Sequence, residues 1–227
     1  MNYAFAPNPV VSLLAMSSNP YPVNQIYGVE GNFPATTSAA VDTPNSEPVI
    51  FMKPASCIAQ NSSLVYYPTN TRELKATVQL VVALHKGGSD IDPERVDYDY
   101  VFGYAVGLDL TRGDLHTALG AKGLPWAKAK GFDQSAPCTS ITPEFYSGVV
   151  DKGKIELKVN GEVRQCGDLT NMLCKVPELV AYLSTLFELR PGDLIYTGSP
   201  EAAVTLNKGD AIEATIAGLE PLILTIA

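Results

Sequence analysis

Tyr100-Val101-Phe102-Gly103-Tyr104-Ala105-Val106-Gly107-Leu108, followed at once by Asp109-Leu110-Thr111, is the stretch that decides the fold. Its aromatic and β-branched residues read as a strand, and Asp109 stands where that strand turns or the next helix is capped. Working outward, Val49 to Met52, Leu64 to Tyr67, Val78 to Leu84, Ile155 to Val159, Leu194 to Tyr196 and Leu222 to Ile226 carry the same strand signature. Seventeen prolines and eighteen glycines punctuate these runs, which suits short strands and turns better than a helical bundle. The clearest helix opens after Val176 with Pro177 in its first turn, places Leu179, Val180, Leu183, Leu186 and Phe187 at 3- and 4-residue spacings, and stops at Arg190-Pro191-Gly192. A weaker helix is expected from Thr111 to Leu119, ending at Gly120. The fold class is therefore α+β, rich in β structure with few helices. A single domain is expected over residues 1–227, with an N-terminal segment and lid-like loop over 1–48 and a β-rich core over 49–227. Within the first part, Pro34 to Pro48 is polar, small and bounded by prolines, and reads as a loop.

Composition limits the partners. With 24 acidic and 16 basic residues, the formal charge of −8 repels phosphodiester backbones and anionic membrane surfaces at long range, so neither nucleic acid nor membrane is an expected partner. One buried lysine in a cleft can still outweigh that screened surface charge toward a small anion. Cys57, Cys138, Cys166 and Cys174 form no CxxC unit and no His-containing ligand cluster, and read as reduced thiols. The N-terminus lacks a basic n-region, and no run approaches 18 apolar residues, so the expected location is the cytoplasm.

Four segments together define a pattern. They are Pro48-Val49-Ile50-Phe51-Met52-Lys53-Pro54, Gly103 to Thr111, Gly123-Leu124-Pro125-Trp126-Ala127-Lys128-Ala129-Lys130-Gly131-Phe132-Asp133, and Pro191-Gly192-Asp193-Leu194-Ile195-Tyr196-Thr197-Gly198-Ser199-Pro200. In these segments and their order, the chain resembles the fumarylacetoacetate hydrolase family, especially its short acylpyruvate hydrolases. The resemblance implies a homodimer that binds Mg²⁺ or Mn²⁺ and cleaves a C–C bond of a diketo acid. It also implies a metal site built from Glu-x-Glu on one strand and an aspartate on another.

Here the two glutamates fall on Thr77 and Gln79, and Asp109 keeps the aspartate. Residues i and i+2 of a strand share a face, so the original spacing aims two carboxylates at one hard cation. A unit charge at ~4 Å is worth about 4 kcal/mol at an effective dielectric near 20, and a divalent ion doubles that before desolvation offsets part of it. A net loss of ~4 kcal/mol per ligand, twice over, weakens binding by about five to six orders of magnitude. No tightly bound cofactor is therefore expected, with Mg²⁺ or Mn²⁺ retained only if the ancestral activity persists.

The family's Gly-Arg-Asn-Tyr motif reads Glu30-Gly31-Asn32-Phe33, its lid histidine falls on Thr36 and its lid glutamate on Ala39. Neither replacement is a general base near neutral pH. The arginine of the Thr-x-Arg-Asp motif falls on Gly113, with Asp114 kept, and a pocket glutamine is replaced by His116. Lys53, Lys130, Thr197 and Gly198 match family substrate-pocket positions. Three readings stand open: a protein that binds a small keto acid without hydrolysing it, an active hydrolase of an acylpyruvate-like or fumarylpyruvate-like diketo acid, and a metal-free keto–enol isomerase with Lys130 and His116 as catalytic groups. The bland alternatives are a neutral structural His116, a turn or cap role for Asp109, and Thr77 and Gln79 as ordinary strand polar residues.

Overall fold

The computed structural model describes residues 4–6, 8–15, 19–34, 47–96 and 99–227. The strand read from Tyr100 to Leu108 runs Val101–Arg112 and pairs antiparallel along its length with Leu74–Leu84. These two long strands are the spine of the larger sheet. Its main path runs Val49–Pro54, Gln25–Glu30, Leu194–Tyr196, Leu74–Leu84, Val101–Arg112, Ala136–Cys138, Ile58–Gln60. A second sheet, ordered Glu162–Asp168, Lys154–Val159, Ala211–Ile216, Leu222–Ile226, Leu64–Val65, packs beside it.

Strand alternation assigns the two faces of the spine. Leu74, Ala76, Val78, Leu80, Val82 and Leu84 join the main core, together with Leu157 and Ile212 from the second sheet. Burying such an aliphatic side chain contributes roughly 1.5–3 kcal/mol, and this face therefore holds the sheets together. Val81, Ala83 and Ala105 instead belong to a smaller core cluster with Ile26, Leu194 and Tyr196. Thr77, Gln79 and Asp109 lie along that second face, with Thr77 directly opposite Asp109 in the ladder.

The larger sheet curls strongly. Lys53, on its first strand, reaches Asp109 at 2.8 Å although three strands separate theirs on the path. Gly28 lets the Phe51 ring of the paired strand lie across it, because any Cβ at that position would overlap the ring.

Sequence and structure differ at several places. The Gln25–Glu30 strand lies inside the larger sheet, so the β-rich core begins well before residue 49. Its burial on both faces suppresses the alternation by which a strand is read. The weaker helix spans Gly113–Gly120, because Thr111 and Arg112 continue the ladder opposite Lys75 and Leu74. The helix opening at Val176 runs to Leu186, with the Glu178 carboxylate accepting a bond from the Lys175 amide at its first turn. Of the expected loop over Pro34 to Pro48, only Pro34, Glu47 and Pro48 fall within the described residues. Thr36 and Ala39 lie outside them. Among the described residues, no helix is long and apolar enough to cross a membrane.

Candidate functional site

Asp109 is 2% exposed and sits between two ammonium groups. Lys53 Nζ approaches its Oδ1 at 2.8 Å, and Lys130 Nζ donates to its Oδ2 at 2.7 Å. Burial opposes ionisation of Asp109, but Lys130 and Lys53 outweigh it and hold the carboxyl below the ordinary aspartate value. The two lysines differ in what remains free. Lys53 Nζ also donates to the Leu110 carbonyl at 2.9 Å and the Ser135 carbonyl at 2.7 Å, so three oxygens surround it, although Asp109 Oδ1 is buried without a hydrogen-bond partner among the described residues. Burial pulls Lys53 below the usual lysine value, with Asp109 opposing the shift. Its position is behind Asp109, as a fixed counter-charge.

Lys130 ends the short Ala127–Lys130 helix and donates to Glu30 Oε1 at 2.6 Å as well as to Asp109. Two of its three donors are thus engaged, and the third has no oxygen or nitrogen partner among the described residues. The Phe51 ring lies under the ammonium at 4.4 Å. Burial works against the charge on Lys130, yet Asp109 and Glu30 together raise it above the ordinary lysine value. Exposure increases outward, from 3% for the Lys130 side chain to 31% for Glu30 and 28% for His116. Lys130 and Asp109 are buried, and Glu30 and His116 are partly exposed beside them.

His116 stands on the Gly113–Gly120 helix with its ring 4.5 Å from that of Trp126, edge to face. Its Nε2 lies 3.8 Å from Glu30 Oε2 and has no hydrogen-bond partner among the described residues. Desolvation lowers its pKa from the ordinary 6.5, opposed by Glu30 and reinforced by Lys130.

Thr77 and Gln79 satisfy each other and the neighbouring turn. Gln79 Nε2 donates to Thr77 Oγ1 at 3.0 Å, and Gln79 Oε1 accepts from the Gly198 amide at 3.0 Å. Thr197 bonds through its hydroxyl to the Leu80 carbonyl, and its own carbonyl accepts from Asn32 Nδ2 at 2.9 Å. Gly198 has φ +98 and packs against Asn32, where a side chain would be strained and crowded. The Thr197-Gly198 turn is therefore rigid, but its free amide is already bonded to Gln79. Beside it, Ser199 Oγ is buried without a hydrogen-bond partner among the described residues.

A divalent cation fits this donor set poorly. Mg²⁺ and Mn²⁺ favour several hard oxygens, preferably carboxylates. Both oxygens of Asp109 face ammonium groups, and the Thr77 and Gln79 oxygens are neutral and already bonded. Among the described residues, no group of three or more His, Cys, Asp or Glu side chains is placed to hold a metal.

Asp114 is an anchor, accepting from the Thr71 hydroxyl and the Arg72 amide. Burial holds the Cys57, Cys138 and Cys174 thiols above their ordinary range, Cys138 to about 12, which removes them as nucleophiles near neutral pH. A surface hollow of about 650 Å³ between His85 and Arg190 shares no residue with the Asp109 cluster.

Of the residues singled out from sequence, Thr77 pairs with Asp109 across the ladder and bonds to Gln79, Lys130 bonds to Asp109 and Glu30, and His116 stands beside Glu30. Sequence reading assigned no role to Glu30, Asn32 or Ser199. For Glu30 a signal was present: a carboxylate stands where the motif has glycine.

A family model described as the fumarylacetoacetate (FAA) hydrolase C-terminal domain matches residues 25–227. The chain belongs to the fumarylacetoacetate hydrolase family. Among family relatives, the mitochondrial oxaloacetate tautomerase FAHD1 of Homo sapiens is 39% identical over 174 residues, covering 77% of this chain and 78% of that protein. The fumarylpyruvate hydrolase of Ralstonia sp is 34% identical over 186 residues, covering 82% and 96%. A crystal structure of fumarylpyruvate hydrolase from Pseudomonas aeruginosa in complex with Mn²⁺ and pyruvate superposes with a TM-score of 0.95 at 37% identity, covering 100% of this chain and 99% of that one. The family fold, rich in β structure, is the one described above.

Proposed function

We propose that this chain binds a small 2-keto acid at Lys130 and does so without a resident divalent cation, so that metal-dependent C–C hydrolysis of acylpyruvates is lost or strongly reduced. The observation that carries this reading is the state of the Asp109 cluster. Its one inherited carboxylate is neutralised by Lys53 and Lys130, and Thr77 and Gln79 bond to each other and to Gly198. A ligand carboxylate or keto oxygen has one donor to meet at Lys130, together with the unpartnered hydroxyl of Ser199 near the Thr197-Gly198 turn. The names of the relatives support this ligand class, since one acts on oxaloacetate and another structure contains pyruvate.

The test pairs two measurements. Oxalate and pyruvate should raise the melting temperature saturably in the presence of a chelator. Fumarylpyruvate and acetylpyruvate should give no pyruvate release above background with Mg²⁺ or Mn²⁺. Metal-stimulated turnover of either diketo acid would overturn the proposal, as would failure of both keto-acid ligands to stabilise the protein.

A further inference from the structure

Two partly exposed residues beside Lys130 depart from the family pattern together. Glu30 replaces the glycine of the first motif and His116 replaces the pocket glutamine, and the folded chain sets their side chains 3.8 Å apart. They come from distant elements, the end of the Gln25–Glu30 strand and the Gly113–Gly120 helix. Glu30 also accepts from Lys130 at 2.6 Å, so an acid/base pair and an ammonium converge on one space.

We propose that Glu30 and His116 form a proton-transfer pair that enolises a small 2-keto acid held by Lys130, a deepening that rests on the keto-acid reading above. The Glu30 carboxylate removes a proton from C3. The C3–H electron pair becomes the C2–C3 double bond, and the carbonyl π pair moves onto the C2 oxygen, where the Lys130 ammonium faces the developing negative charge. Return of a proton from Glu30 to C3 reverses the electron movement, with no net oxidation or reduction. Glu30 is the catalytic residue. His116 is a positioning residue, packed edge to face on Trp126 with its buried, unpartnered Nε2 3.8 Å from the Glu30 carboxylate that it orients.

The geometry suits these roles. Glu30 is open enough to reach a ligand, while Lys130 is anchored by Asp109 and cannot follow the ligand outward. Glu30 lies 3.8 Å from His116, and the charges of Lys130 on the Ala127–Lys130 helix, Asp109 on the Val101–Arg112 strand and Lys75 on the Leu74–Leu84 strand also act on it. An imidazole kept neutral in that mixed field can accept the proton that Glu30 acquires.

The experiment follows deuterium incorporation at the methyl group of pyruvate in D₂O by proton NMR, with chelator present, alongside oxalate-induced thermal stabilisation. The wild-type chain should catalyse exchange. Glu30→Gln and Glu30→Ala, measured together so that one folded variant suffices, should lose it by about 10²–10⁴-fold, with the Gln variant keeping its oxalate response. His116→Gln should lower the rate by a smaller factor and remove an inflection on the acid side of the pH profile. Oxalate binding without any exchange by the wild type would overturn this proposal and leave the keto-acid reading standing; absence of oxalate binding would strike the reading beneath it. Exchange that survives Glu30→Gln, or that the chelator abolishes, would also overturn the proposal.

Discussion

Asp109→Asn removes the one carboxylate that touches both buried lysines while keeping its shape. Lys53 would retain its two carbonyl acceptors and Lys130 would retain Glu30, but two buried ammonium groups would face a neutral amide. At 1% and 3% exposure, their side chains have little water to compensate. Removing one partner of a buried ion pair costs about 3–5 kcal/mol. For a chain of this length each kcal/mol moves the melting temperature by about 2–4 °C, so the expected fall is about 6–20 °C. Urea unfolding followed by circular dichroism, with chelator throughout, gives the free energy, and a thermal melt gives the shift. The comparison is sharp because an aspartate that served only as a metal ligand would leave the chelated protein unchanged or make it more stable when neutralised. A loss below about 1 kcal/mol, or any gain, would refute the claim that Asp109 is held in a structural ion-pair cluster.

Other perturbations have equally definite outcomes. Thr77→Glu with Gln79→Glu restores two carboxylates beside Asp109 and should tighten Mn²⁺ binding by at least about 100-fold in calorimetry. Asn32→Ala removes bonds to the Thr197 and Cys174 carbonyls and to the Cys174 amide, and should cost about 2–4 kcal/mol in denaturant unfolding. Acid should weaken the fold in two stages. Because burial depresses the folded pKa of His116, the unfolded chain binds the proton more readily, and stability is lost as pH falls from 6.5 through the lower folded value. Asp109 contributes stability that is fully present above its unfolded value of 3.8 and lost as pH falls through the depressed folded value. His116→Gln should remove the first stage and leave the second, as read by stability measured across pH.

The long strands and the Val176–Leu186 helix were legible because their signals are local: β-branched runs for the former, apolar spacing and Pro177 for the latter. The Gln25–Glu30 strand was not, because both of its faces are covered and the sequence shows no alternation. The helix starting at Gly113 rather than Thr111 was decided by pairing with the Leu74–Leu84 strand, a contact that no window around residue 111 contains. At the site, residue types singled out Thr77, Gln79 and Asp109 but not how they are bonded. The Gln79 bond to Gly198, and the convergence of Glu30, Lys130 and His116, join residues about a hundred positions apart in the chain, which no local window contains.

The most direct measurement is electron paramagnetic resonance of Mn²⁺ titrated into chelator-stripped protein at near-equimolar concentration. With Asp109 paired to Lys53 and Lys130, the signal of free hexaaquo Mn²⁺ should remain undiminished. Stoichiometric loss of that signal, abolished by Asp109→Asn, would contradict the account.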